Sequence, residues 1–198
     1  MGFSTFESEA EANARFAVDC ARRVHEASEI WQRFAHSRGL GFGVDPVSIL
    51  PKLVGRREAV DLAIVALGNP RDGYRTRASA QVAVPLEGRV RVGLPGALAS
   101  IVGEILPRKF FHERGAPELD ENLVVSARPS ELAQRVVDER VVATLRRLAR
   151  QRLDDFTYEA GSVAVVWAGV EQDVETLDGV LDLLVYVARR AQDASAYR

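Results

Sequence analysis

From Gly115 to Ala191 the turn, strand and helix signals of this sequence follow one another without a gap, and that order admits few folds. Gly115-Ala116-Pro117-Glu118-Leu119-Asp120 reads as a turn, Asn122 to Arg128 as a strand, and Pro129-Ser130 as a helix start with Ser130 as candidate N-cap. Asp138 is placed to cap a second helical piece with Val141, Leu145 and Leu148 on its buried side. Phe156 to Glu159 and Ser162 to Ala168 read as a hairpin about Ala160-Gly161, because glycine admits the positive backbone angle of a tight turn. Asp173 then caps a last helix on which Val174, Leu177, Val180, Leu181, Leu184, Val187, Ala188 and Ala191 form a wide apolar face. Burying one large aliphatic side chain stabilises by roughly 1.5 to 3 kcal/mol before entropy is counted. The last helix is therefore a core element.

Upstream, Leu40 to Leu94 carries short extended runs separated by turn residues. Val60 to Leu67 is apolar on both faces apart from Asp61, as a central strand requires. After the turn signal Asn69-Pro70-Arg71-Asp72-Gly73, the residues Tyr74, Thr76, Ala78, Ala80, Val82 and Val84 alternate with polar ones and mark a strand with one wet face. Glu87-Gly88 leads into Arg89 to Leu94, so a meander of three or more antiparallel strands is expected, followed by a short helix within Ala97 to Leu106. Strands and helices do not alternate regularly, which argues for an α+β fold over a doubly wound one. The expected architecture is one antiparallel sheet of about five to seven strands, covered by the C-terminal helices and preceded by a long N-terminal helix.

Ser4 and Glu7 have capping-box spacing, and Phe16, Cys20, Val24, Ala27, Trp31 and Phe34 recur on one helical stripe up to a stop at Gly39. Unbroken from Thr5 to Arg38, this helix would be about 50 Å long. A compact chain of this size is only about 42 Å across, from a radius of gyration of about 16 Å. The helix must break, wrap the globule or project. Its alanine-rich first half (Ala10, Ala12, Ala14, Ala17, Ala21) buries little area. Two readings follow: it lies across its own core, or residues 5 to 25 meet another chain. The chain divides into a helical segment, residues 1–38, and an α+β domain, residues 39–198.

The sequence has a formal net charge of -2, whereas binding that runs on phosphate neutralisation needs a basic domain or stripe. Nucleic acid is not an expected partner. The single Cys20 cannot close an intrachain disulfide, which fits a reducing compartment. No apolar run approaches the roughly 20 residues that span a bilayer, and the N-terminus lacks the basic region and apolar core of a signal peptide. A cytoplasmic, unprocessed chain is expected.

Gly39-Leu40-Gly41-Phe42-Gly43 is glycine-rich, but it follows a helix where a phosphate cradle would precede one, so it reads as a helix stop and flexible joint. His25, His36 and His112 have no helical metal-ligand spacing, and neither a metal nor a cofactor is expected. His112 stands near Glu113, Glu118, Asp120 and Glu121, a grouping that could serve acid-base chemistry but also describes a solvated acidic loop. Asp154-Asp155 reads as a helix-end turn, because neighbours entering a strand point to opposite faces. The arginines from Arg140 to Arg152 are flanked by Asp138, Glu139, Asp154 and Asp155, which neutralise them locally. No motif of a nucleotide-binding loop, nucleophile elbow or zinc protease is present.

The Trp31-x-x-Phe34-Ala35 helix end, the Gly39-Leu40 exit, the Tyr74-Arg75-Thr76 strand and Gly115-x-Pro117-Glu118-Leu119-Asp120-x-x-Leu123-Val124-Val125 resemble a group of uncharacterised bacterial soluble proteins. In that group a Gly-Asp-Pro-x-Phe-Asp turn leads into a strand and a capped helix. Ala116 and Leu119 depart from that pattern. The resemblance spans roughly Trp31 to Ala191 and implies no substrate and no functional residue.

The sequence thus points to a non-enzymatic interaction, adaptor or assembly module that self-associates through Phe16, Cys20 and Val24. The alternative is a small-ligand or lipid binder with an apolar cavity between sheet and last helix, lined by Val163, Val165, Trp167, Leu181 and Leu184. A third reading is a hydrolase using His112 with Asp120 or Glu113.

Overall fold

The computed structural model describes residues 9–70, 72–93, 104–105, 123–149 and 153–196. Among them the chain runs α1 (Glu9–Arg38), β1 (Gly41–Val44), β2 (Pro51–Arg57), β3 (Val60–Asn69), β4 (Gly73–Gln81), β5 (Arg89–Gly93), β6 (Glu104–Ile105), β7 (Val124–Arg128), α2 (Ser130–Val136), α3 (Glu139–Ala149), β8 (Leu153–Glu159), β9 (Ser162–Ala168) and α4 (Val174–Ala196). The fold is α+β, and the nine strands form one sheet in the order β1-β2-β3-β4-β9-β8-β5-β7-β6, every pair antiparallel.

The strand count exceeds the expected five to seven for two local reasons. Gly41–Val44, read as a flexible joint, pairs with β2 as an edge strand, while Gly39 with φ +66° does end α1. Glu104–Ile105, within the stretch expected to be helical, pairs with β7. The meander also stops earlier than expected. β4 pairs with β9, and β5 joins β8 to β7, so the C-terminal hairpin is inserted between strands that adjoin in sequence.

Register explains why the sheet has one dry face. Leu53, Ile64, Ala78, Val165, Phe156, Val92 and Val125 are partners on successive strands, and all are buried. Because side chains alternate between faces, this row and its parallel neighbours lie on one side. α4 packs there against β3, β4 and β9, α2 against β7 and β5, α3 against β8, and the C-terminal half of α1 against β1 and β2. The core is continuous across these elements. On the opposite side Val54, Ala63, Ser79, Ala164, Thr157 and Arg91 form a mixed row.

The expected caps sort by mechanism. Asp173 accepts N–H bonds from Glu175 and Thr176 at 3.2 Å each, and Asp138 accepts one from Val141 at 3.0 Å. Ser130 is not a cap: it already has helical geometry, and Pro129 precedes it with no side-chain bond. Ala160 (φ +50°) and Gly161 (φ +77°) make the β8–β9 hairpin turn, as the sequence implied.

Two polar clamps lock the helices. Arg190 donates to Asp138 at 2.7 Å and to the carbonyls of Arg135 and Gln134, while the Tyr186 hydroxyl donates to the same carboxylate, so α4 grips the α2–α3 junction. Arg38 reaches Asp178 with two bonds of 2.9 and 2.7 Å, which fixes the end of α1 to α4 and holds that guanidinium above its ordinary pKa.

Candidate functional site

α1 runs unbroken for 30 residues, about 45 Å at the usual rise. Its anchored part is the second half, where Ala27, Trp31, Phe34 and Ala35 are buried. Toward the N-terminus the same stripe leaves the core: Val24 is packed at its margin, Cys20 is half-buried, and Phe16 is 56% exposed. Val18, on the other side of the helix, is 68% exposed.

Between this half of α1 and the body of the protein lies an open groove of about 810 Å³. Phe16 and Cys20 face it from the helix, together with Arg22, Arg23 and Glu26. The facing wall is the β3–β4 turn and the start of β4, with Asp72, Tyr74 and Arg75, joined by Asp154 of β8. The floor is the β9–α4 connection, residues 168–172.

That connection is held from four directions. The Gly169 N–H donates to the Tyr74 carbonyl at 2.7 Å, and the Thr76 hydroxyl donates to the Gly169 carbonyl at 2.7 Å. Thr76, fully buried, also accepts the Glu171 N–H at 3.0 Å. The Trp31 indole of α1 donates to the Glu171 carbonyl at 2.7 Å, and the Trp167 indole to the Glu171 carboxylate at 2.8 Å. The second carboxylate oxygen accepts the N–H groups of Gln172 and Asp173 at 2.9 Å each. One residue, Glu171, therefore ties α1, β4, β9 and α4 together. Such a set of bonds makes a rigid base, since each buried donor or acceptor left unpaired would cost about 1–3 kcal/mol.

The groove walls are polar but nearly self-neutralised. Arg75 Nε lies 2.9 Å from Asp154, Arg22 lies 3.2 Å from Glu26, and Asp72 accepts from the Asn69 amide at 2.8 Å. Two groups differ: among the described residues neither the Arg23 guanidinium nor the Tyr74 hydroxyl has a partner. Burial pushes the Tyr74 phenol above its ordinary pKa, so it is a hydroxyl donor at neutral pH.

Asp154 and Asp155 lie in β8, which corrects the helix-end turn expected for them. Leu153 pairs with Trp167 and Asp155 with Val166, so Asp154 is the extra residue of a bulge; Asp155 turns to the sheet face away from the helices, while Asp154 meets Arg75 at the rim of the groove. Asp155 meets Arg91 at 2.5 Å on that face, and burial raises its pKa against the pull of that arginine. In the alternative ligand set, Val163, Val165, Trp167, Leu181 and Leu184 are all buried in the continuous core. His112, Glu113, Glu118, Asp120 and Glu121 lie outside the described residues, as does the Gly115–Asp120 turn. Arg140 stacks over the Tyr186 ring at 4.5 Å.

Sequence reasoning missed Thr76 and Glu171. Thr76 stands at an inward position of an alternating strand and reads as one more core residue, and Glu171 looks like a solvated neighbour of the Asp173 cap. The one available signal was the pair Trp31 and Trp167, since a buried indole N–H requires an acceptor. Among the described residues no helix is long and apolar enough to cross a membrane.

Compared by sequence, the chain matches no family model and no curated protein. Among solved structures it is similar to the crystal structure of the mycobacterial trehalose monomycolate transport factor A, TtfA, with a TM-score of 0.59 and 13% identity over 83% of this chain and 93% of that one. The likeness at this identity is one of fold.

Proposed function

We propose that this chain is a non-enzymatic interaction or assembly module whose docking element is the N-terminal half of α1. The observation that carries this reading is the apolar stripe Phe16-Cys20-Val24, which continues the buried stripe of α1 past the edge of the core and leaves Phe16 56% exposed. A helix face of this kind is closed by another protein surface in many assemblies. A second copy of the chain is the partner first tested, and a cytoplasmic setting, in which Cys20 stays reduced, belongs to the same reading. Light scattering tests it. The intact chain should weigh more than one 21.7 kDa unit, and Phe16→Asp should return it to that mass. Equal monomeric masses for both proteins would remove self-association.

A second reading, a binder of a small apolar or lipid ligand, is favoured by the groove, whose volume falls within the roughly 300–1,000 Å³ of ligand pockets. The structural neighbour is by its name a factor in transport of trehalose monomycolate, which is compatible with this reading. Native mass spectrometry of freshly purified protein tests it: a retained small molecule supports it, and a bare chain mass counts against it.

A further inference from the structure

We propose that the groove between α1 and the β3–β4 and β9–α4 turns binds an uncharged polyhydroxylated headgroup carrying an aliphatic chain. The inference rests on the ligand-binding reading above and gives it a chemical class. It follows from how the groove's charges are spent. Among the described residues three arginines, Arg22, Arg23 and Arg75, face four carboxylates, Glu26, Asp72, Asp154 and Glu171. The small negative balance opposes an anionic head. Arg23, the cation without a partner among the described residues, opposes a cationic one.

What the groove offers instead is a mixture of donors and acceptors at short spacing. Arg23 and the Tyr74 hydroxyl can donate. The carboxylates of Asp72 and Asp154 keep lone pairs free beyond the bonds they already accept, because an ionised carboxylate has about four acceptor sites. A sugar-like hydroxyl both donates and accepts, so a polyol can satisfy both sets at once, whereas a carboxylate or phosphate head cannot donate to Asp72 and Asp154. The Tyr74 ring, half-buried against the core, lines the groove and is the flat apolar surface there for a sugar's C–H face. Phe16, Cys20 and Val170 supply an apolar track for a hydrocarbon chain.

The test uses the intact chain and dodecyl maltoside below its micelle concentration, titrated by calorimetry against dodecanoate, dodecylphosphocholine and maltose. Saturable one-to-one binding of the maltoside is expected, at least tenfold tighter than that of dodecanoate or dodecylphosphocholine, with maltose alone weaker still. Tyr74→Phe and Arg23→Gln should each weaken maltoside binding at least threefold, while Val84→Asp, on a distant exposed residue, should leave it unchanged. Neither groove substitution alters the apolar stripe of α1, so the oligomeric mass is unaffected and the two proposals fail separately. Absence of saturable maltoside binding, equal affinity for dodecanoate, or wild-type affinity in both groove variants would overturn the inference.

Discussion

Replacing Thr76 with valine separates two accounts of the β9–α4 connection, because they predict opposite signs. Valine matches threonine in shape, and the side chain is fully buried on a β-strand facing the core. If burial of apolar surface alone held this position, the substitution would be neutral or stabilising. The hydroxyl, however, donates to the Gly169 carbonyl at 2.7 Å and accepts the Glu171 N–H at 3.0 Å. Valine leaves both groups without that partner. An unpaired buried polar group costs about 1–3 kcal/mol, and the lower part of that range applies because the connection is only half-buried. Together the two losses amount to about 2–3 kcal/mol. For a domain of this size each kcal/mol moves the melting temperature by roughly 2–4 °C, so a drop of about 4–12 °C is expected. Urea unfolding should show a lower midpoint with unchanged slope. Thr76→Ser retains the hydroxyl, and its loss should come from one methyl group, roughly 1 kcal/mol. Amide exchange should rise at Glu171 in the valine variant and not in the serine one. A valine variant as stable as the natural chain would refute the claim that Thr76 pins the floor of the groove.

Three further substitutions probe the rest of the scaffold. Tyr186 donates to Asp138, which holds its phenol above the ordinary value of 10.0 in the folded state. The folded pKa is raised, so the bond's contribution is complete below about pH 10 and is lost as the pH rises through the folded value; Tyr186→Phe should lower stability at pH 7 by about 1–2 kcal/mol and flatten the alkaline part of the stability curve. Unfolding midpoints from pH 7 to 11 give the answer, and parallel curves for the two proteins would contradict it. Gly88 has φ +120° and a Cβ there would lie 2.3 Å from the Arg128 carbonyl oxygen, so Gly88→Ala should cost several kcal/mol, on the order of 3 or more. Gly179→Ala meets only the mobile tip of Arg147 and should be neutral or stabilise by up to about 1 kcal/mol through helix propensity. Thermal melts of the pair should therefore diverge, and equal melting temperatures would count against the steric argument.

The elements legible in the sequence are those coded by local periodicity or by one capping side chain. Asp138 and Asp173 each satisfy nearby helix N–H groups, so three or four residues of sequence contain the whole interaction. The β8–β9 hairpin is legible for the same reason. Pairing order was not, because it depends on contacts distant in sequence: nothing local in Arg89–Gly93 says that its neighbours will be β8 and β7 and not β4. The bulge at Asp154 defeated the alternation rule, since one extra residue reverses the facing of everything before it. The groove was half legible. Phe16 and Cys20 stood out on their stripe, but their opposite wall comes from Asp72, Tyr74 and Asp154, which only the sheet brings near them.

The described contacts are distributed unevenly along α1. The second half of α1 is fixed by Trp31, Phe34 and the two bonds from Arg38 to Asp178, and the floor below it is fixed through Thr76 and Glu171. The first half has exposed ion pairs within the helix, Arg22 with Asp19 and Glu26, which are worth only a few tenths of a kcal/mol each. Its one described bond across to the floor is from the Gln172 amide to the Arg23 carbonyl at 3.1 Å. Arg23 therefore sits at the N-terminal end of the buried contacts described for α1. A molecule that contacts Arg23 and Phe16 on one side and Tyr74 on the other would meet one wall next to the bonds of Thr76 and Glu171 and one whose single described bond to the floor is that of Gln172.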